Sequence, residues 1–277
     1  MKKTTVSAFA KRKAAGEKLV MCTAYDAPFA AAVLDAGIDI MLIGDSVGTT
    51  LLGYSSTLPV SMDDMIRHTQ AVRRGAPEAF LVGDMPFMSY QASIVEGMHN
   101  AARFLKETGC TAVKLEGGSE VCELVQKLTQ AGIPVVAHIG LTPQSVNQLG
   151  GFKVQGKDVE AAKKLIDDAK ALESAGAFAC VLECVPAALA SKITQELTTM
   201  ATIGIGAGNG CDGQVLVCND LLGVSDGFCP KFVKRYADIH SITVNAVKSY
   251  INEVKDRSFP APEHTFKIDD TVLEKLY

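Results

Sequence analysis

Short runs of apolar residues recur along the chain, and each is followed by a polar or glycine-rich turn and then by an amphipathic helical stretch. Near-continuous hydrophobic strands that alternate with helices are typical of a parallel sheet whose outer face is covered. The predicted strands are Leu19–Thr23, Ile38–Gly44, Phe80–Asp84, Ala112–Glu116, Pro134–Ile139, Phe178–Cys184, Thr202–Ile205 and Gln214–Val217. Eight such units predict an α/β fold, the (β/α)8 TIM barrel. A doubly wound open sheet is the alternative, but it more often stops at about five or six strands.

The intervening helices have the apolar spacing of surface helices, and glycines that favour left-handed backbone follow several of them (Gly37, Gly109, Gly132, Gly176). Ser61, followed by Asp63 and Asp64, is a predicted N-cap. The predicted helices are Pro28–Ala36, Ser61–Arg74, Ile94–Glu107, Glu120–Ala131, Val159–Ala175 and Ala187–Glu196.

Two segments lie outside the repeating pattern. An extra N-terminal helix over Val6–Ala15 is predicted to close the bottom of the barrel. After the eighth strand, the pattern predicts a C-terminal arm that is helical over Lys231–Lys255 and extended over Arg257–Tyr277. No linker or low-complexity segment interrupts the pattern, so residues 1–277 are predicted to form a single barrel domain.

Composition narrows the functional class. The chain has 27 basic and 31 acidic residues and a net charge of −4, so it lacks the basic face that nucleic acids require. No apolar run approaches the ~18–20 residues of a membrane span, and the N-terminal segment lacks the apolar core of a signal peptide. Eight scattered cysteines without paired zinc spacing predict reduced thiols, and therefore a cytoplasmic protein.

Polar side chains occupy the positions where the predicted strands end, which is where barrel enzymes carry their active sites. Because strand residues alternate between faces, Lys114 and Glu116 share one face, and Glu183 shares a face with Val181. The candidate site residues are Asp45, Ser46, Asp84, Lys114, Glu116, His138 and Glu183. Taken singly, several have structural interpretations, such as a turn cap at Asp45 or a core histidine at His138.

Four carboxylates and one lysine in the same barrel mouth cannot all ionise without a further positive charge. A divalent cation resolves this conflict, and carboxylate oxygens suit Mg²⁺ or Mn²⁺ better than zinc. An α-keto acid could chelate such an ion through two oxygens, and the polarised ketone would favour carbanion chemistry at the adjacent carbon.

Ten sequence segments, in order along the chain, carry a resemblance to a known family. They include TAYD (Thr23–Asp26), GDSVG (Gly44–Gly48), KLEGG (Lys114–Gly118), HIGLTPQSVNQLGGFKVQG (His138–Gly156), LECVP (Leu182–Pro186) and IGIGAG (Ile203–Gly208). On these motifs the chain closely resembles the ketopantoate hydroxymethyltransferase (3-methyl-2-oxobutanoate hydroxymethyltransferase) family. The long run that begins at His138 is the most specific of them.

The resemblance implies transfer of a hydroxymethyl group from 5,10-methylenetetrahydrofolate to 3-methyl-2-oxobutanoate, giving 2-dehydropantoate for pantothenate synthesis. It implies that Asp45, Asp84 and Glu116 bind Mg²⁺. Ser46 and Lys114, together with Asp45 and Asp84, would bind the oxo acid, and His138 is a further candidate for substrate binding. The resemblance makes Glu183 the proton acceptor and predicts a homo-oligomer, commonly a decamer.

The sequence departs from the family pattern at Cys218–Asp220 and in the arm beyond Phe266, which bears on folate contacts or subunit packing. Two alternative functions follow from the same acidic cluster or fold. One is a Mg²⁺-dependent carbon–carbon lyase acting on a pyruvate-like oxo acid. The other is a non-catalytic phosphate-binding barrel that uses the glycine-rich loop after the seventh strand.

Overall fold

Parallel strands pair in chain order and close on themselves through contact of the last strand with the first. The structure is a computed structural model that describes residues 4–276. Its strands are β1 (Leu19–Thr23), β2 (Ile40–Ile43), β3 (Leu81–Asp84), β4 (Ala112–Glu116), β5 (Val135–Gly140), β6 (Ala179–Glu183), β7 (Ala201–Ile205) and β8 (Gly213–Leu216). The predicted (β/α)8 TIM barrel is therefore confirmed.

Helices cover the outside of the barrel, and those predicted up to Glu196 begin and end within two residues of the predicted positions, whereas the short helices over Val47–Thr50 and Val146–Leu149 were not predicted. They are α1 (Val6–Ala15), α2 (Ala27–Asp35), α3 (Val47–Thr50), α4 (Met62–Gly75), α5 (Ile94–Thr108), α6 (Cys122–Gln130), α7 (Val146–Leu149), α8 (Val159–Ser174), α9 (Ala187–Glu196), α10 (Cys218–Leu222), α11 (Ile239–Asp256) and α12 (Asp270–Leu273). Single 3-10 turns occur at Ser119–Val121, Pro143–Ser145, Pro262–His264 and Glu274–Leu276.

The predicted helix ends have the expected local chemistry. Ser61 and Asp64 form a reciprocal capping box at the start of α4. Gly109 ends α5 with a φ of 67°, where a side chain would be strained. The three other glycines predicted to follow helices also have positive φ values.

The barrel bottom is closed by α1, as predicted. Phe9 is fully buried, and its ring lies 5.4 Å from that of Phe80 and 4.7 Å from that of Phe178. These rings continue into the apolar interior that the inward-facing strand residues form. Burial of Phe9 therefore holds the N-terminal helix against the strands through the hydrophobic effect.

Two compact units make up the described chain. The first contains the barrel and comprises the described residues up to Cys218 together with Pro230–Val233. The second comprises Asn219–Cys229 and the residues from Lys234 onwards, and it contains α11 and α12. The single-domain expectation for residues 1–277 stays a prediction.

Two features of the C-terminal arm differ from the sequence prediction. The helix predicted over Lys231–Lys255 begins only at Ile239, where Asp238 caps it by accepting a hydrogen bond from Ser241 N. The segment predicted as extended contains α12 and two 3-10 turns, and at the start of α12 Asp269 Oδ1 accepts from both the backbone N–H and the hydroxyl of Thr271. The last residue, Tyr277, lies outside the described part.

Buried free thiols occur at Cys22, Cys110, Cys180 and Cys211, in agreement with the expectation of reduced cysteines. Cys122 and Cys184 are also free but only partly buried. Within residues 4–276, no helix has both the length and the hydropathy that crossing a membrane requires.

Candidate active site

Strand register brings the predicted residues to one end of the barrel in successive layers. Asp84 is paired with Lys114 across β3 and β4, and Glu116 is paired with His138 across β4 and β5. One layer further out, Glu183 on β6 is paired with Gly140 on β5. These side chains share a strand face with core residues two positions away, such as Ala112 and Val181, so they point into the barrel, as period-two alternation predicted.

Lys114 is the centre of the deepest layer. Its Nζ lies 2.8 Å from Asp84 Oδ1 and 3.7 Å from Glu116 Oε1, and all three side chains are buried. Burial opposes the charged form, but the nearby carboxylates of Asp84, Glu116 and Asp45 raise the pKa of Lys114 overall. Lys114 therefore remains an ammonium ion at neutral pH.

The carboxylates outnumber this single cation. Asp45 is buried, and its backbone N–H donates to Asp84 Oδ2 at 3.1 Å. Burial, and then the charges of Asp84 and Glu116, raise the pKa of Asp45 well above its usual range. Burial raises the pKa of Glu116 to about 8 despite the opposing effect of Lys114. Further positive charge in this layer would therefore be stabilising.

The donor set fits a hard cation that is shared with a substrate. Asp84 Oδ1 is buried and has no aligned hydrogen bond, and Asp45 offers a second carboxylate in the same layer. In residues 4–276, no three His, Cys, Asp or Glu side chains form a group that could hold a metal by themselves. Mg²⁺ commonly binds through one or two carboxylates and completes its shell with water and substrate oxygens, so this arrangement suits it.

Glu183 and His138 form the upper part of the site. Lys114 Nζ donates to His138 Nδ1 at 3.2 Å, and an ammonium group can only donate, so the proton of a neutral His138 is on Nε2. This Nε2 lies 3.3 Å from Glu183 Oε2. Burial, and then the charge of Lys114, lower the pKa of His138 well below its usual value, which keeps the ring neutral.

Burial raises the pKa of Glu183 to about 7, and the charge of Lys114 limits the rise. A carboxylate in this range exchanges a proton readily near neutral pH and suits a general base. Cys184 follows with a φ of 49°, so the chain turns away directly after the acid. Glu183 keeps 17% of its side-chain surface exposed, more than the neighbouring His138.

Ser46 lies at the edge of the same mouth, at the start of α3. Its Oγ is 2.8 Å from Tyr25 Oη, which is buried at the end of β1. Gly44 is needed beside it, because a Cβ there would come within 2.7 Å of Ser46 Oγ. The structure therefore brings together all seven predicted residues: Asp45, Ser46, Asp84, Lys114, Glu116, His138 and Glu183.

Sequence reasoning missed Gln144 and Tyr90, two buried residues of this site. Gln144 Nε2 donates to Asp45 Oδ2 at 3.0 Å, and Tyr90 Oη donates to Gln144 Oε1 at 2.9 Å. Gln144 falls in the His138–Gly156 segment, and Tyr90 ends GDMPFMSY (Gly83–Tyr90), another of the ten segments that carried the family resemblance, which is the only signal that pointed to them. Loop residues have no periodicity from which to infer an inward direction.

A family model described as ketopantoate hydroxymethyltransferase matches residues 3–262. The chain belongs to the ketopantoate hydroxymethyltransferase family. This confirms the resemblance and the prediction that the protein is a hydroxymethyltransferase.

Relatives in this family align over nearly the full length of the chain. The 3-methyl-2-oxobutanoate hydroxymethyltransferase of Carboxydothermus hydrogenoformans is 57% identical over 277 residues, which is 100% of each chain. The protein of the same name from Clostridium novyi is 57% identical over 275 residues, covering 99% of this chain and 100% of the relative.

Solved structures of other enzymes share the barrel. A 2,3-dimethylmalate lyase superposes with a TM-score of 0.59 at 15% identity, covering 99% of this chain and 94% of the lyase. A phosphonopyruvate hydrolase gives a TM-score of 0.61 at 12% identity, covering 98% and 94% of the two chains. At such low identity these likenesses support the fold of this chain and say nothing about its activity.

Proposed function

We propose that this enzyme transfers a hydroxymethyl group from 5,10-methylenetetrahydrofolate to 3-methyl-2-oxobutanoate, giving 2-dehydropantoate for pantothenate synthesis. In this reaction the folate donates its one-carbon unit, water supplies the hydroxyl oxygen, and tetrahydrofolate leaves. The observation that supports it most is the position of Glu183, a carboxyl with a pKa raised to about 7, beside the Lys114–Asp84 pair.

The oxo acid would bind in the layer of Asp45, Asp84 and Lys114, with the Ser46 hydroxyl at its edge. Asp45, Asp84 and Glu116 would hold Mg²⁺, which when bound supplies Lewis-acid polarisation of the substrate's keto group. Lys114 offers a fixed ammonium group to the anionic substrate, and this charge is already oriented by Asp84.

Glu183 would accept the proton from C3 of the oxo acid. Its exposed edge faces the mouth, and His138 Nε2, 3.3 Å away, limits the directions in which the carboxylate can turn. The resulting enolate places negative charge on oxygen, where the Lys114 ammonium stabilises it without reorganisation. The enolate carbon then attacks the one-carbon unit of the folate, which enters from the open end of the barrel.

The proposal is tested by incubating the protein with both substrates and Mg²⁺, and measuring 2-dehydropantoate by mass spectrometry. We expect product with Mg²⁺ and none after chelation. Glu183→Gln should abolish turnover, whereas Glu123→Gln, the same change at an exposed position of α6, should leave it unchanged. Release of pyruvate from citrate-like substrates instead would favour the carbon–carbon lyase alternative.

Assembly and location extend the same proposal. We expect a homo-oligomer, with a decamer as the family's common form, that works in the cytoplasm without nucleic acid or membrane partners. Size-exclusion chromatography with light scattering tests the assembly, and a monomer at micromolar concentration would contradict it.

A further inference from the structure

Gln144 connects two of the proposed metal ligands through a single residue. It lies in the Pro143–Ser145 turn that follows β5, and it is 4% exposed. Its side-chain Nε2 donates to Asp45 Oδ2 at 3.0 Å, and its backbone N–H donates to Glu116 Oε2 at 3.0 Å. Carboxylates from β2 and β4 are thereby fixed relative to each other by a residue of the β5 loop.

The orientation of the Gln144 amide is fixed on both sides. Nε2 also donates to the backbone carbonyl of Met85 at 2.9 Å, and a carbonyl can only accept, so the amide cannot flip. Oε1 accepts from Tyr90 Oη at 2.9 Å and from Gln91 Nε2 at 3.1 Å. All hydrogen-bonding capacity of the buried amide is therefore used, which is what a rigid support requires.

These bonds occupy one oxygen of each carboxylate and leave the other oxygen available. Oδ2 of Asp45 and Oε2 of Glu116 are held by Gln144, so Oδ1 of Asp45 and Oε1 of Glu116 are left for other partners. Glu116 Oε1 already faces Lys114 Nζ at 3.7 Å. Without the side-chain amide, the Asp45 carboxylate could rotate or pair with Lys114 instead, whereas the backbone N–H of residue 144 would still bond Glu116.

We propose that Gln144 is a positioning residue that holds Asp45 and Glu116 in the geometry for binding a divalent cation, with Tyr90 supporting it. The inference rests on the proposed function, because it assumes that these carboxylates bind a metal. Gln144 touches neither substrate nor metal; it acts through the two carboxylates. Supporting residues of this kind typically change metal affinity about 10- to 100-fold when replaced.

The test measures Mn²⁺ binding to the substrate-free protein by electron paramagnetic resonance, separately from activity. Gln144→Met keeps the side-chain length but removes the amide donors, and should weaken Mn²⁺ binding about 10- to 100-fold. Tyr90→Phe removes the hydroxyl that donates to Gln144 Oε1 and accepts from the Glu116 backbone N–H, and should weaken Mn²⁺ binding less. Gln126→Met, an exposed position on α6, is the matched control and should leave binding unchanged.

Kinetics give a second readout. The apparent Mg²⁺ requirement of Gln144→Met should rise, and excess Mg²⁺ should restore part of the lost turnover, which a merely structural role would not produce. Combined with Gln144→Met, Tyr90→Phe should add a further loss smaller than its effect alone, because the Tyr90 hydroxyl bonds both the Gln144 amide and the Glu116 backbone N–H. If Gln144→Met does not fold, Tyr90→Phe carries the same test.

Each outcome decides the inference. A folded Gln144→Met or Tyr90→Phe protein with wild-type Mn²⁺ affinity would overturn it, and so would a wild-type protein that binds no Mn²⁺. A wild-type protein that binds Mn²⁺ but forms no 2-dehydropantoate would instead refute the proposed function. In that case the comparison of Mn²⁺ affinities would still decide the role of Gln144.

Discussion

Replacing Glu183 by glutamine removes the proposed proton acceptor and keeps the size of the side chain. Glutamine has nearly the same shape as glutamate, and His138 Nε2, 3.3 Å from Glu183 Oε2, forms no aligned hydrogen bond that the change would break, so the local structure should persist. We expect the variant to lose the exchange of the C3 hydrogen of 3-methyl-2-oxobutanoate while it retains Mg²⁺-dependent binding of this substrate. General bases contribute about 10²- to 10⁴-fold, which sets the size of the expected loss.

The pKa of Glu183, raised by burial to about 7, adds a pH dependence to this prediction. In the proposed reaction the ionised carboxylate of Glu183 is the base, so the wild-type exchange rate should rise with pH and level off above the pKa. Roughly a tenth of the carboxylate is ionised one pH unit below its pKa and about nine tenths one unit above it. The exchange rate should therefore increase about tenfold between pH 6 and pH 8.

Exchange is measured by proton NMR in D₂O, with the oxo acid and Mg²⁺ but without folate, so that only the first step is observed. Glu123→Gln is the control and should exchange as the wild type does. Unimpaired exchange in Glu183→Gln would remove Glu183 as the base. An exchange rate that is flat between pH 6 and pH 8 would show that another group limits proton removal.

Three further predictions concern the metal and the stability of the barrel. Asp84→Asn should raise the Mg²⁺ concentration for half-maximal activity about tenfold or more, because Mg²⁺ relies on few carboxylates; an unchanged requirement would make Asp84 structural. Phe9→Ala should reduce the free energy of unfolding by about 3–5 kcal/mol in urea titrations, because the ring is fully buried; Phe228→Ala, 89% exposed, is its control. Glu173→Gln should destabilise the protein at neutral pH and do so less as the pH falls below 5, as argued next from the lowered pKa of Glu173.

Burial raises the pKa of Glu173, but backbone N–H groups at Met200, Thr199 and Thr198 bond its Oε1 and lower the pKa overall. A carboxyl with a lowered folded-state pKa stabilises the fold above its unfolded pKa of about 4.3, and this stabilisation is lost as the pH falls through the folded-state value. The difference in the free energy of unfolding between the wild type and Glu173→Gln should therefore decrease between pH 5 and pH 3. A difference in the free energy of unfolding that stays constant over this range would contradict this role of Glu173.

The barrel was predictable from sequence because each strand is a short apolar run and each helix has a regular apolar face. The inward direction of Lys114 and Glu183 followed from the same alternation, which fixes side-chain direction once a strand is assigned. The start of α11 was not predictable, since the apolar spacing over Lys231–Lys255 continues through a segment that is not helical. Local capping by Asp238 sets the beginning of this helix.

Gln144 illustrates the other limit of sequence reasoning. Its direction depends on the Pro143–Ser145 turn, and its partners lie on β2, on β4 and in the loop after β3, far apart in the chain. Charged residues inside apolar strands attract notice because they need partners. A neutral amide in a polar loop has no such signature, and only its contacts reveal it.

The ring of Phe9 beneath the strands has a consequence for the order of events. Because apolar side chains fill the lower end of the barrel, we expect both reactants and both products to pass through the opposite end, where Glu183 lies. Under the proposed function, the small oxo acid would have to reach Lys114 and Asp84 before the bulkier folate covers the entrance. We therefore expect sequential kinetics in which the oxo acid enters first and the tetrahydrofolate departs before 2-dehydropantoate.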